Sequence, residues 1–346
     1  MIVIQHLFEQ LITGQSLSHE QMQRVIAACM QGELSDAQIA TFLALMRMKG
    51  ETVAELTAAA QMMQQYTRHI ALGDNLIDLV GTGGDGKNTF NISTVSSFVV
   101  AAAGVAVAKH GNYSVSSRSG SADFLLRAGF ELNLTDDVLQ HAMQHCGIAF
   151  LFAPHFHQTM QHVRNARKEL GIRTLFNLLG PLLNPAQVRK QVVGVFSSEW
   201  LHPIAQVLAN LGSQHALVVH SQDGLDEFSV SASTDVVEYH QGQFKTWTIN
   251  PKDYDCFHEH LDAAIIDTPE QSLAIAEAVL SGQPGTARDL VILNSAAALY
   301  CAEHSDCFAS AVERATHLLD SGEPAQRFAM LRKYTQQDKR SADKKR

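Results

Sequence analysis

The stretch Asp78-Leu-Val-Gly-Thr-Gly-Gly-Asp-Gly-Lys87, followed by Asn91-Ile-Ser-Thr94, decides how this chain folds. The apolar run Leu76-Ile-Asp-Leu-Val80 reads as a buried strand. Gly81, Gly83, Gly84 and Gly86 make a turn, and Asn91, Ser93 and Thr94 then open an apolar run, Val95 to Gly104, that reads as a helix. Strand, glycine turn and helix start together aim backbone N–H groups and a helix dipole at an anion. Gly81-x-Gly83-x-x-Gly86 satisfies the dinucleotide pattern, but that chemistry needs an acid at the end of the next strand to hold a ribose. The next strand, Val105-Ala-Val-Ala108, ends in Lys109, and no acid occurs from Gly86 to Ala122. Gly81-x-x-x-x-Gly86-Lys87 approaches the P-loop, yet Asn88 stands where a hydroxyl would ligate Mg²⁺. What survives is a phosphate site of another kind, with Lys87, Lys109 and Arg118 supplying charge. The bland alternative is a glycine-rich turn with no ligand.

The chain has 346 residues, about two domains' worth, with 46% hydrophobic and 18% charged residues, as in ordinary globular proteins. A net charge of −9 argues against a nucleic-acid binder and requires local cations at any polyphosphate site. Cys29, Cys146, Cys256, Cys301 and Cys307 are scattered and odd in number, which reads as reduced cytosolic thiols and not as a disulfide frame or zinc site. The N-terminus shows no secretory signal and no run is long enough to span a membrane, so the cytoplasm is the expected location and no membrane partner is expected.

The expected fold class is α/β: a small all-helical domain, 1–70, and a large α/β domain, 71–164 and 191–336, with a mostly parallel central sheet flanked by helices. Ser18-x-x-Gln21, Ser35-x-x-Gln38 and Thr52-x-x-Glu55 fit capping boxes, and Gly32 and Gly50 sit where the first two helices should stop. Phe42, Leu43, Leu45, Met46 and Met48 give one helix more apolar surface than a core stripe needs, which suits either a subunit interface or an interior helix. Expected strands are 76–80, 105–109, 148–152, 191–196 and 216–220, alternating with crossover helices. Ligands in such sheets gather at the carboxyl ends of the strands, where Gly81, Lys109 and Phe152 fall. The run 165–190 is expected to return to the helical domain, 222–258 to be β-rich, and 337–346 to be a disordered basic tail.

Lys109-His-Gly-Asn112 and Ser114-Val-Ser-Ser-Arg-Ser-Gly-Ser-Ala-Asp123 are dense in small donors and suit a sugar bearing phosphates at both ends; a solvated linker is the alternative. Asp226-Glu227 is an adjacent acid pair whose hard oxygens suit Mg²⁺, although such a pair alone is more often a solvated turn.

Gly81-Thr-Gly-Gly-Asp85, Asn91-Ile-Ser-Thr94, Lys109-His-Gly-Asn112, Gly120-Ser-Ala-Asp123, Arg167-Lys-Glu-Leu-Gly-Ile-Arg-Thr-Leu-Phe-Asn-Leu-Leu-Gly-Pro181 and Gly224-Leu-Asp-Glu227 occur in the order seen in anthranilate phosphoribosyltransferases. Over nearly its whole length the chain resembles that family. The resemblance implies a homodimer through the helical parts, and a reaction of tryptophan biosynthesis that joins anthranilate to phosphoribosyl diphosphate with loss of diphosphate. It implies that Gly81, Gly84, Asp85, Thr89, Asn91, Ser93, Thr94, Lys109 and Ser121 hold phosphoribosyl diphosphate. It gives Mg²⁺, as two ions, to Ser93, Asp226 and Glu227. Anthranilate falls to Gly81, His110, Asn112, His157, Arg167, Gly180 and Pro181, with Lys109 and Arg167 as the catalytic pair. An aromatic acid needs a fixed cation, and the planar fork of arginine suits a carboxylate. Tyr113 and Gln158 depart from the family's pattern and bear on the shape of the acceptor channel. Anthranilate synthase, where it serves the pathway, is expected as separate subunits. A pyrimidine nucleoside phosphorylase shares this fold by resemblance, but would use inorganic phosphate and need no acid pair. A non-catalytic, nucleic-acid-binding relative would be expected to lose Arg167 and the acid pair and to gain a basic face.

Overall fold

The structure, a computed structural model, describes residues 4–114 and 118–343. Four helices open the chain: α1 (Ile4–Ile12), α2 (His19–Gln31), α3 (Asp36–Lys49) and α4 (Val53–Gln65). Each of the last three begins with a reciprocal capping box, Ser18 with Gln21, Ser35 with Gln38 and Thr52 with Glu55. Each box satisfies backbone donors that the first turn leaves free. Gly32 ends α2 in the left-handed region (φ 72°), where a Cβ would be strained. Phe42, Leu43 and Met46 of α3 are fully buried and Leu45 partly so, whereas Met48 is 83% exposed.

From Ile77 strands alternate with helices. β1 (Ile77–Gly81), α5 (Ile92–Ala102), β2 (Val107–Gly111), α6 (Ser121–Arg127), α7 (Asp136–Cys146) and β3 (Ile148–Phe152) come first. Next come α8 (Ala153–Phe156), α9 (Gln161–Leu170), α10 (Leu175–Leu179), β4 (Lys190–Gly194), α11 (Leu201–Asn210) and β5 (His215–Ser221). β6 (Thr234–His240), β7 (Gln243–Ile249), α12 (Pro269–Leu280), α13 (Thr286–Cys301), α14 (Phe308–Ser321) and α15 (Glu323–Asp343) close the chain. α15 continues through most of the stretch expected to be a disordered tail, because Lys, Arg, Gln and Ala favour a helix and neither Gly nor Pro interrupts it.

The seven strands form one sheet in the order β3-β2-β1-β4-β5-β6-β7. β1 to β5 are parallel, and their apolar runs are buried on both faces, as crossover helices require. β6 and β7 are an antiparallel hairpin added at one edge, turned by the left-handed pair Gln241 and Gly242. One core, with α5 and α13 at its centre, fills one face. On the other face Met22, Ile26 and Phe42 of the first helices share a core with Phe176, Leu179 and Ile204. α9 and α10 thus pack on α2, α3 and α4, so the α9–α10 segment rejoins the opening helices.

Candidate active site

β1 is the centre of the parallel sheet, and its carboxyl end runs into the glycine loop. Thr82 N–H donates to Gly194 O at 2.9 Å, which ties the loop to the end of β4. Gly83 and Gly84 follow in the left-handed region (φ 63° and 82°), a backbone that turns successive amides toward one side. Among the described residues the amides of Gly84, Asp85 and Gly86 donate to no protein acceptor.

The acid pair, after β5, lies against this loop. Asp226 Oδ2 accepts from Gly83 N–H at 2.8 Å, and Glu227 Oε1 accepts from Ser93 N–H, in the first turn of α5, at 3.2 Å. Gly224 (φ 92°) bends the loop ahead of the pair, and both adjacent acids line one cavity. Ser93, Asp226, Glu227 and Asn294 line a small cavity under the strand ends with Leu79 and Gly194. Burial, with Asp85 close by, pushes the Asp226 carboxyl up to about 7. Burial first, and then Asp226 and Asp85, push Glu227 well above the usual carboxylate range. Glu227 Oε2 is buried with no hydrogen-bond partner. Clustered carboxyls with an orphaned oxygen suit a hard divalent cation that keeps some of its ligands outside the protein, so Ser93, Asp226 and Glu227 fit Mg²⁺.

Lys109, expected at a strand end, falls in the middle of β2, because that strand runs two residues later than the apolar run suggests; it is buried and donates from Nζ to Leu79 O at 2.5 Å. Burial lowers its pKa, opposed by the charges of Asp78 and Glu227. Asp78 is wholly buried; its Oδ1 accepts from His110 N–H (3.2 Å) and its Oδ2 from Asn184 Nδ2 (2.8 Å). Burial raises its pKa to about 6, with Lys109 the main opposing charge.

His110 and His157 meet through their Nε2 atoms at 3.1 Å, and Thr67 Oγ1 lies 3.1 Å from His157 Nδ1. Burial holds His110 well below its usual range and His157 down to about 4, so both rings are neutral near pH 7. His110 lies near the Gly180 backbone, and Pro181 O accepts from Gln191 Nε2 at 2.9 Å. A neutral imidazole pair thus sits beside the Gly180-Pro181 corner. Arg167, on α9, has its guanidinium carbon 5.2 Å above the Phe176 ring and, among the described residues, no carboxylate partner.

The remaining sequence-derived residues fall around the same rim. Asn91 Oδ1 accepts from Ser119 Oγ (2.9 Å) and Ser272 Oγ (2.8 Å), and Thr94 Oγ1 is buried without a partner. Ser121 Oγ accepts from Asn112 N–H at 3.2 Å; Thr89 bridges Ile265. Tyr113 packs edge-on against Phe152 at 5.2 Å. Residues 115–117 of the Ser-rich run lie outside the described residues. Sequence reasoning gave no site role to Asp78, Asn184, Arg173 or Asn294. A lone acid inside the apolar run 76–80 was the signal for Asp78, since a buried carboxyl needs a partner.

Comparisons with known proteins find relatives over both parts of the chain. Residues 5–67 match the glycosyl transferase family helical bundle domain, and 73–325 match the glycosyl transferase family a/b domain. Anthranilate phosphoribosyltransferase of Legionella pneumophila strain Paris is 64% identical over 330 residues, 95% of this chain and 96% of that protein. The crystal structure of anthranilate phosphoribosyltransferase (TrpD) from Thermus thermophilus matches at a TM-score of 0.89 and 38% identity, covering 95% of this chain and 99% of that one. The Saccharomyces cerevisiae enzyme in complex with PRPP and Mg matches at 0.87 and 26% identity, covering 96% and 98%.

Proposed function

The chain belongs to the anthranilate phosphoribosyltransferase family and is an enzyme, and we propose that the strand-end site carries out that family's reaction, with separate residues serving donor, metal and acceptor. The reaction moves the phosphoribosyl group of phosphoribosyl diphosphate to the amine of anthranilate and releases diphosphate. The observation that carries the assignment is the meeting of a glycine loop with free amides and the Ser93, Asp226 and Glu227 cluster, whose Glu227 Oε2 has no partner.

Ser93, Asp226 and Glu227 would hold Mg²⁺, which when bound supplies positive charge toward the departing diphosphate. The amides of Gly84, Asp85 and Gly86 donate to the same oxygens, and their fixed orientation means little reorganisation as charge develops. Gly81, Thr89, Asn91, Thr94 and Ser121 bind the rest of the donor. Thr94 Oγ1, buried and unpartnered, is the clearest free donor among them. Lys109 acts from beneath: its inward ammonium offsets Asp78 and Glu227 and keeps the acid cluster in place.

Arg167 binds the acceptor carboxylate. His110, Asn112, His157 and the Gly180-Pro181 corner shape the channel around the ring. The aryl amine of anthranilate is neutral at pH 7, so the site needs no strong base before attack, and neutral His110 and His157 suit that demand. Positioning is then the main work on the acceptor side. Exposed apolar residues on the opening helices, Met48 (83%) and Ile12 (61%), support a homodimer through that region.

Anthranilate fluorescence tests the reading: it should fall only when phosphoribosyl diphosphate and Mg²⁺ are both present. Asp226→Asn with Glu227→Gln should slow Mg²⁺-dependent turnover roughly 100-fold or more; unchanged turnover would sink the metal assignment. Arg167→Ala should raise KM for anthranilate about 10- to 100-fold with a small change for the donor. Equal effects on both substrates would make Arg167 structural.

A further inference from the structure

Arg173 belongs to neither the metal cluster nor the acceptor channel. It lies between α9 and α10, just after the left-handed Gly171 (φ 65°) that ends α9, and it leaves that segment to reach the glycine loop of β1. Its Nη1 donates to Gly84 O at 2.9 Å, and its guanidinium carbon sits 4.5 Å above the Phe196 ring. Phe196 is tied to the same loop, because its N–H donates to Thr82 Oγ1 at 3.1 Å. The arginine therefore rests on a ring fixed to the loop while gripping the loop's own carbonyl. A Cβ built on Gly84 would meet Arg173 Cδ at 3.5 Å, so the two residues are in contact over more than one hydrogen bond.

Peptide planarity gives this contact a consequence. In a trans peptide the carbonyl and the following N–H point in opposite directions. Holding the Gly84 carbonyl toward Arg173 turns the Asp85 N–H the other way, and that amide has no protein acceptor among the described residues. Arg173 thereby sets the direction of one of the amides offered to the diphosphate. It does so from the segment that carries Arg167 and leads into Gly180-Pro181, the acceptor side of the site.

We propose that Arg173 is a positioning residue that couples the acceptor-binding segment to the diphosphate loop, so that each substrate strengthens binding of the other. This rests on the proposed phosphoribosyl transfer at the same site. Coupling between two binding sites is reciprocal, so it can be read from either ligand. The fork of an arginine can stack and donate at once, which the point charge of a lysine cannot reproduce.

The test titrates phosphoribosyl diphosphate with Mg²⁺ into the full chain by calorimetry, alone and with saturating benzoate as an acceptor mimic that has no amine to react. Wild type should bind the donor several-fold more tightly with benzoate present. Arg173→Ala should bind the donor about tenfold more weakly and lose the benzoate effect, while Arg173→Lys should recover part of the affinity and none of the coupling. Thermal unfolding is followed on the same samples. Donor affinity and coupling unchanged in Arg173→Ala, a wild type with no benzoate effect, or a lowered melting point and weaker donor binding with the benzoate effect intact would each overturn the proposal. Wild-type consumption of anthranilate is checked in parallel. Its absence would fail the assigned reaction, whereas its presence with an unaltered Arg173→Ala would fail only the coupling.

Discussion

Asp226 reaches the strand ends because two strand-final glycines make room for it. A Cβ on Gly194, the last residue of β4, would fall 1.5 Å from Asp226 O, and one on Gly81 would fall 2.6 Å from Asp226 Oδ2. Glu227 is fixed from the other side by Asn294 of α13. Asn294 Oδ1 accepts from Phe228 N–H at 3.0 Å, and its Nδ2 donates to Phe228 O and Leu290 O, both at 2.9 Å. The side-chain amide thus replaces a backbone partner for the residue next to the acid pair, inside a core where nothing else can satisfy it. Asn294→Ala should destabilise the fold by about 2–4 kcal/mol, from the buried Phe228 groups left unpaired, and should raise the Mg²⁺ concentration needed for half-maximal turnover. Urea unfolding and a Mg²⁺ titration measure the two effects. An unchanged Mg²⁺ requirement in a destabilised variant would confine Asn294 to the core. The acid pair was legible as a candidate in the sequence, but its two clamps were not. Gly194 and Asn294 are far from it in the chain, and only the sheet order brings them together.

The elements were easiest to read where local chemistry dictates them. The three capping boxes at Ser18, Ser35 and Thr52 formed as their spacing predicts, since both partners lie within one turn. Glu55 goes further than its motif. Its carboxylate accepts from Thr52 N–H (2.9 Å), from Leu17 N–H (2.8 Å) and from Lys49 Nζ (2.8 Å), with its side chain fully buried. A helix cap here also joins α4 to the α1–α2 connection and to the end of α3. Glu55→Ala should therefore cost about 3–5 kcal/mol, as loss of one partner from a buried pair, against about 1 kcal/mol for Ser35→Ala at an exposed cap. Equal shifts in urea midpoint for the two variants would show that Glu55 is only a cap. The hairpin β6–β7 was legible only as a polar β-rich stretch. It pairs onto β5 from His215↔His240 to Ser221↔Thr234, and its Glu238 accepts from His215, Tyr300 and Trp247, each at 2.9 Å. Burial would raise the Glu238 carboxyl, but these donors outweigh it and hold the pKa below 4.5. A carboxyl lowered in the folded state contributes stability above its unfolded value and loses it as pH falls through the folded value. Thermal stability should thus fall as pH drops below about 4.5, and Glu238→Gln should flatten part of that slope. An identical slope in the variant would remove Glu238 from the account.

At the scale of the whole molecule, the sequence order of strands and helices sufficed for a mostly parallel sheet, because apolar runs separated by crossover helices have few other solutions. α9 and α10 pack on the opening helices, at the run 165–190 where the alternation of strands and helices breaks off. Contacts across that junction were not legible in the sequence. Arg173 on Gly84, and Thr67 on His157, join residues that no local pattern relates. The surface of the opening helices poses the remaining question of scale. α3 buries Phe42, Leu43 and Met46 in its own core, so the apolar excess noted in its sequence is mostly interior. What is left outside is Met48 on α3 and Ile12 at the end of α1, neither covered by the chain itself. A stable dimer buries roughly 1,200–2,000 Å² in total, which requires a continuous patch around such residues and not two isolated side chains. The proposed homodimer therefore makes a sharp demand on charge placed there. Ile12→Lys with Met48→Glu should convert the dimer to monomer in light scattering, while turnover per chain stays within about twofold, because the strand-end residues come from one chain. A dimer that survives both charges would place its interface away from this end of α1 and α3, and a monomeric wild type would remove the interface altogether.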